Sequence, residues 1–588
     1  MKIENLRSMM EKKGISAYII PTADPHQSEY VADYFKSREW MSGFTGSAGS
    51  LVISMDRALL WTDGRYFLQA EKELEGSEIE LMKMGTKDVP NYSQWLRDNL
   101  NSGQTIGFHG QVFAESSAKD LENQLKGKDI GFISDFDLVG DIWHDRPSMP
   151  KEEVIIHEKV YAGLEAKEKI SKVREIMKGK GASYFLIGSL DDIAWLYNIR
   201  GKDIAYSPVA ISYGLVSLEK AYIFIDKDKI NTQVEDHLRA NGIELLAYEE
   251  ITELLATIKE GNTIILDENR INRELYKAIP KVVNLINEVD ITTTLKGIKN
   301  QVEIENQRNA YLKDGAALVK FLAWLDRSIG KIEIDEISVA DKLKTFRKKQ
   351  DLFQEPSFET ISAYGPNAAM AHYRATTDDY SVLEAKGLYL IDSGGQYIDG
   401  TTDITRTIAL GDLTEEEKTD FTLTLKGHIN LIKTRFLEGT TGFQLDILSR
   451  QPLWNQGLDY KHGTGHGIGF FLNVHEGPHR IASVYNNVPL EKGMVMSIEP
   501  GIYKDGKHGI RIENIVVVNE DISTESGNFL SFEVLSYVPI DLNCIDVSLL
   551  NQEEVTWLNN YHREVYSKLA DYLNEEEKTW LQDKTRSI

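Results

Sequence analysis

A chain of 588 residues exceeds what one hydrophobic core can serve, so two to four domains are expected, each large enough to bury a core of its own. Its 66 lysines and arginines stand against 91 aspartates and glutamates, and the formal net charge of −25 repels phosphate backbones and anionic membranes, which argues against nucleic-acid and membrane partners. The single cysteine, Cys544, cannot form an internal disulfide, and a reducing cytoplasm fits that composition.

The opening MKIENLRSMMEKKGISAYII carries charges throughout and no apolar leader core, and no later stretch reaches the roughly 18 apolar residues of a membrane span, so a soluble, unprocessed protein is expected. Residues 6–20, LRSMMEKKGISAYII, recur at 173–187 as VREIMKGKGASYFLI, a constant offset of 167. Each copy reads as an amphipathic helix, a glycine stop at Gly14 or Gly181 and a buried strand. Aspartates follow at Asp24 and Asp191, then glycine- and aromatic-rich turns and further apolar strands such as SLVIS and AYIFID, so two homologous α/β domains are expected. Between the copies lies WHDRPSMPKEEV, where Pro147 and Pro150 discourage regular structure and mark a linker, so the first domain is assigned residues 1–150 and the second 151–296.

The third domain, 297–588, starts with a long helix on which Leu318, Val319, Leu322 and Leu325 form one apolar face. The runs GLYLIDSGG, DITRTIAL, MVMSIEPGIY and IRIENIVVV read as strands, separated by helical segments such as 415–438, and NQEEVTWLNNYHREVYSKLADYLNEEEKTWL closes the chain as helix. An antiparallel sheet backed by helices, α+β, is expected.

Polar residues on these apolar strands need a reason, because an unpaired buried carboxylate costs several kcal/mol. Asp392 ends LYLID, Asp403 enters DITRTIAL, Glu499 ends VMSIE and Glu513 lies inside IRIENIVVV. Four carboxylates cannot all stay ionised in a half-buried cluster without cations, and two divalent ions would balance them. With one more ligand the ions would be bridged at roughly 3.5–4 Å, an arrangement that holds a hydroxide for attack on an acyl carbon. The run KHGTGHGIGF, residues 461–470, supplies that ligand in His466. Its histidines are four apart, as in a helical metal pair, but Gly463, Gly465, Gly467 and Gly469 would each cost a helix about 1 kcal/mol relative to alanine. It therefore reads as a loop, with His466 facing the metals and His462 the substrate. No Gly-Lys-Ser/Thr follows, so it is not a phosphate loop.

Together DSGGQYIDGTTDITRT, HGTGHGIG, VHEGP, SIEPGIY and GIRIENIV resemble the metal motifs of the pita-bread metallopeptidase family, in its aminopeptidase P branch. REWMSGFTGSAG, LWTDGRYFLQA, WHDRPSMP and WLNNYH resemble the long, three-domain cytosolic form of that branch. The resemblance implies two creatinase-like N-terminal α/β domains ahead of a pita-bread catalytic domain with a helical extension. It implies that Asp392, Asp403, His466, Glu499 and Glu513 bind two divalent metals, usually manganese, and oxygen-rich ligation with one imidazole independently suits that ion. The activity implied is removal of the first residue from peptides with proline second, through a hydroxide held between the metals, with Glu499 as the base for that water. By motif, His372 in AMAHYRA, His462 and His475 in VHEGP match histidines that line the substrate site and stabilise or shuttle protons to the reacting amide. Tyr503 and Arg511 match residues near the prolyl pocket and behind the metals. Ser497 and Ile498 depart from what relatives often carry before the glutamate, with no effect expected. A homodimer that the front domains help to build is also implied. Prolidases share the ligands but accept only dipeptides, methionine aminopeptidases would leave both front domains unused, and metal-free binding relatives lose ligands that are all kept here. Length and the duplicated front favour the aminopeptidase.

Overall fold

A computed structural model describes all 588 residues, which gather into two compact units. The first comprises Met1–Lys159 and Leu164–Thr293, the second Val160–Gly163 and Thr294–Ile588.

In the first unit the helix Lys2–Lys13 buries Ile3, Leu6 and Met10 and ends at Gly14, whose φ of 67° is left-handed and whose N–H bonds back to the last turn. The strand Ala17–Pro21 follows. The helix Ala166–Gly179 and strand Tyr184–Ile187 repeat this, with Gly181 at φ 69° in the place of Gly14. Glycine is needed at both stops because that conformation crowds any Cβ. Two six-stranded sheets result. One runs Ile79–Lys83, Ala58–Thr62, Ser50–Ser54, Ala17–Pro21, Thr105–Phe108, Gly131–Ile133; the other Ile243–Leu246, Ala221–Ile225, Ser212–Ser217, Tyr184–Ile187, Thr263–Leu266, Asn284–Asn287. In both, the strand after the repeated helix pairs antiparallel on one side and parallel on the other, so the duplication extends from sequence to pairing sense. Residues 143–154, the proline-marked stretch, contain no helix or strand.

The second unit opens with the helix Gln301–Ser328, whose first N–H groups are capped by Asn300, with Oδ1 accepting from Val302 and Glu303 at 3.0 and 3.1 Å. Leu318, Val319, Leu322 and Leu325 are buried on its inner face, as their spacing predicts. An antiparallel six-stranded sheet runs Phe436–Leu437, Gly527–Val534, Asn514–Thr524, Val495–Ile498, Gly465–Gly467, Glu476–Ile481. A three-stranded antiparallel sheet, Ile361–Tyr364, Leu388–Ser393 and Ile404–Ala409, and a hairpin, Gly501–Lys504 with His508–Arg511, complete the surround of the site. No helix is long and apolar enough to cross a membrane.

Four details differ from the sequence reading. The helix read as 415–438 ends at Ile432, because Phe436 and Leu437 pair as a strand with Leu530 and Phe529. MVMSIEPGIY divides into two strands at Glu499–Pro500, where proline offers no N–H for the ladder, and IRIENIVVV divides at Ile512–Glu513, so Glu513 stands between strands and not inside one. The terminal helix is two, Gln552–Leu569 and Glu575–Lys584, each capped by an asparagine. The glycine-rich run is not wholly a loop: Gly465–Gly467 is a strand inside the sheet. A Cβ on Gly465 would stand 1.9 Å from the Ser497 carbonyl oxygen and one on Gly467 2.4 Å from that of Glu476. Glycine is required there because neighbouring strands press in, not because the chain turns.

Candidate metal centre

The five expected ligands all lie on strands, at their ends or in the breaks between them. Asp392 belongs to Leu388–Ser393 and faces Thr405 across the ladder, Asp403 immediately precedes Ile404–Ala409, and His466 is the middle residue of its short strand. Glu499 and Glu513 occupy the two strand breaks. Ligand atoms of Asp403, His466 and Glu513 all come within 4.8 Å of one another. His466 Nε2 also lies 3.5 Å from Asp403 Oδ2 and 3.3 Å from Glu499 Oε1. Asp392 Oδ2 accepts from Arg511 Nη2 at 2.6 Å, which leaves its buried Oδ1 without a hydrogen-bond partner.

The electrostatics of this cluster point to cations. Burial holds the Asp403 carboxyl well above the usual carboxylate range, and the charges of Asp392 and Glu499 push it further. Glu513 is raised in the same way by burial and then by Asp403, Asp392 and Glu499. Burial pushes Glu499 up to about 7, with Asp392 adding to the rise and Arg511 and His475 opposing it. Carboxyls that cannot stay ionised together, an orphaned buried oxygen and one imidazole with no thiolate form a donor set that fits hard divalent ions.

Side chains behind the ligands fix their orientation. His466 Nδ1 donates to the Gly467 carbonyl at 3.0 Å, which turns Nε2 toward the carboxylates. Thr405 Oγ1 donates to Glu513 Oε2 at 2.9 Å and accepts from Arg511 Nε at 3.2 Å. Ser497, read from the sequence as a departure without effect, accepts the His466 N–H at 3.0 Å and donates to Glu499 Oε1 at 3.1 Å, so one buried hydroxyl ties two of the expected ligands together.

His462 lies beside this cluster. Its Nδ1 is 2.7 Å from the Gly463 carbonyl, and its Nε2 is 2.8 Å from the Tyr503 hydroxyl, which accepts from Arg511 Nη1 at 2.7 Å. With Nδ1–H donating to the carbonyl, Nε2 is left to accept the phenolic proton. Burial raises Tyr503 to about 12, so it keeps that proton. The His475 ring meets the His466 ring edge-on, centroids 4.3 Å apart. His372 follows three residues after the turn Gly365–Ala369, which packs on His508–Arg511, where a Cβ on Gly509 would stand 1.7 Å from the Ala368 oxygen.

Sequence reasoning missed the support of the His462 turn. Buried Arg450 donates Nε to Asp446 at 2.7 Å, Nη1 to the Tyr460 carbonyl at 2.8 Å and Nη2 to the His462 carbonyl at 2.9 Å. Thr464 Oγ1 donates to Asp446 at 2.6 Å, and its carbonyl accepts the Glu499 N–H at 2.8 Å. The available signal was an Asp and Arg spaced i, i+4 in an otherwise mostly apolar helix.

Known proteins share this architecture. The profile of metallopeptidase family M24 matches residues 305–520, that of the C-terminal region of peptidase M24 matches 528–588, and two profiles of the creatinase/prolidase N-terminal domain match 2–137 and 145–303. Aminopeptidase P2 of Arabidopsis thaliana is 40% identical over 97% of this chain and 86% of its own. A probable Xaa-Pro aminopeptidase P of Laccaria bicolor is 42% identical over 97% of this chain and 90% of its own. The X-prolyl aminopeptidase of Caenorhabditis elegans, described as a cytosolic enzyme with a di-nuclear active site, superposes with a TM-score of 0.96 at 36% identity over 100% of this chain and 99% of its own. A prolidase from Pyrococcus horikoshii, at 24% identity and a TM-score of 0.50, shares the fold over 64% of this chain.

Proposed function

The chain belongs to metallopeptidase family M24, and from that premise we propose that it is a metal-dependent Xaa-Pro aminopeptidase, releasing the first residue of peptides whose second residue is proline. The observation that carries the reading is the convergence of Asp392, Asp403, His466, Glu499 and Glu513, with the carboxyls of Asp403, Glu499 and Glu513 pushed up together by burial and by their neighbours' charges. Relatives named for this activity align over nearly the whole chain.

The donor set suits two divalent ions, with manganese the ion proposed. When bound, such a pair supplies an acidified water and polarises the scissile carbonyl. Glu499 takes up the proton of that water, with Oε1 oriented by the Ser497 hydroxyl. His475 or His372 donates a hydrogen bond to the tetrahedral oxyanion. Asp403 receives the free amino group of the substrate, which restricts cleavage to the chain end. His372, His462, Tyr503 and Arg511 surround the proline ring, whose fixed φ lowers the ordering cost of binding. A cytoplasmic homodimer completes the reading, and the single buried Cys544 is compatible with a reducing compartment.

Three peptides test it with and without manganese: one with proline second, the same with alanine second, and the first with its amine acetylated. Only the first should be cut, and only with metal. Comparable cleavage of the alanine peptide rejects proline specificity, cleavage of the acetylated one rejects exopeptidase action, and activity confined to dipeptides gives the chain to the prolidases.

A further inference from the structure

Between the strands Ile361–Tyr364 and Leu388–Ser393 the chain makes an excursion that carries His372. It leaves a strand whose Ile361 pairs with Asp392, and its turn Gly365–Ala369 lies against the strand ending in Arg511. Most of the excursion has no sheet partner, so its conformation must be fixed some other way.

One buried side chain gathers four of its residues, Tyr364, Asn367, Tyr373 and Ser381. Glu336, at the start of the helix Glu336–Arg347, is fully buried. Its Oε1 accepts from the Tyr364 N–H at 2.7 Å and from Asn367 Nδ2 at 3.0 Å. Its Oε2 accepts from the Tyr373 hydroxyl at 2.8 Å, the Ser381 N–H at 2.7 Å and Asn367 Nδ2 at 3.2 Å. Residues 364, 367, 373 and 381 span the excursion, and one of them is the immediate neighbour of His372. Asn367 binds the centre together a second time, donating to the Tyr373 hydroxyl at 3.1 Å and to Ser381 Oγ at 3.0 Å. A carboxylate is acceptor-only, so it alone among side chains of this shape satisfies donors at both oxygens. Glutamine would present an amide N–H₂ to the backbone N–H of either Tyr364 or Ser381, whichever way it turned.

We propose that Glu336 is a positioning residue, a buried anionic hub that holds the 364–381 segment so that His372 meets the substrate. The assignment rests on the aminopeptidase reading above for what His372 does, but the anchoring itself is independent of it. Its geometry also explains why a fully buried acid is tolerated: every hydrogen bond to it comes from the segment it organises.

The test is Glu336→Gln in the full-length, manganese-loaded protein. Hydrogen exchange should lose protection across residues 364–381 and not elsewhere; unchanged exchange there overturns the proposal. Two ions should remain bound while kcat/KM on the proline peptide falls on the order of 10²-fold, as misplacement by about 1 Å can cause. His372→Ala and the double variant should then be equally impaired, because the glutamate acts through the histidine. Multiplicative losses overturn that role, and so does loss of metal with the activity. If the glutamine variant does not fold, Tyr373→Phe combined with Asn367→Ala removes two of the donors and leaves the carboxylate, with the same readouts expected. A wild-type chain inactive on the proline peptide removes the aminopeptidase reading, while hydrogen exchange still decides the anchoring.

Discussion

The proposed ligands stand out in the sequence because a carboxylate in an apolar strand is costly and therefore conspicuous, and Asp392, Asp403, Glu499 and Glu513 are all visible on that ground. Ser497 and the reach of Arg450 are not, since a serine in a strand carries no such cost and the Asp446–Arg450 spacing does not tell that the guanidinium holds the Tyr460 and His462 carbonyls. The burial that makes the carboxyls conspicuous also makes them hold protons. With Glu499 raised to about 7 and Asp403 and Glu513 also held well above the usual carboxylate range by burial, loading metal at pH 7 should displace protons. Titrating manganese into chelated protein in buffers of different ionisation enthalpy measures this, and no proton release would reject these residues as ligands. A second consequence separates the two histidines of the glycine-rich run. His462 contacts Tyr503 and stands 4.0 Å from Glu499 through Nδ1, whereas His466 points Nε2 between two carboxylates. His462→Ala should lower turnover by about 10²-fold or more with two ions still bound. Loss of both ions, measured by elemental analysis, would mean that the roles are exchanged.

At the scale of the element, that run shows where reading from composition stops. Four glycines exclude a helix, which was legible; that three residues among them form a strand gripped by its neighbours was not, because the grip comes from Ser497 and Glu476, residues distant in sequence. The glycines should therefore respond differently to a methyl group. On Gly465 it would meet the Ser497 carbonyl at 1.9 Å, and backbone must move; on Gly463 the nearest atom is 3.4 Å away, ordinary contact, at an exposed position. Gly465→Ala should cost about 1–3 kcal/mol or more and reduce metal content, since His466 is the next residue. Gly463→Ala should stay within about 0.5 kcal/mol of wild type. Urea denaturation beside metal analysis decides it, and equal effects would show that the strand is not confined as described. The strand breaks at Glu499 and Glu513 follow the same logic: proline announces the first, and nothing local announces the second.

For the whole molecule, the duplicated front was the most legible feature, because an amphipathic helix, a left-handed glycine and a buried strand are local and recur at one offset. The balance of charge in the second unit was not legible, since it depends on which histidines are buried. Burial holds His428 down to about 3 and His479 and His562 to about 4. His428 and His562 accept through Nε2 from the Asn514 amide and the Ile540 N–H, bonds that a protonated ring would lose. A base with a depressed folded pKa stabilises fully above its unfolded value, ordinarily 6.5, and that stability is lost as pH falls toward the folded value. Each such ring costs up to about 1.4 kcal/mol per pH unit across that window. The raised carboxyls have the opposite sign: the uptake of a proton by Glu499 stabilises the metal-free fold fully below its ordinary 4.5 and is lost as pH rises through about 7. Asp403 and Glu513 act in the same direction. Without metal the two sets offset each other between pH about 6.5 and 4.5, while bound cations exclude the protons and leave the histidines unopposed. The chelated protein should thus show a shallow pH profile, and the manganese-loaded protein should be the more stable at pH 7.5 and lose that advantage steeply below 6.5. Urea midpoints followed by hydrogen exchange in Gln552–Leu569, the helix that carries His562, would measure both, and superimposable profiles would refute the offset.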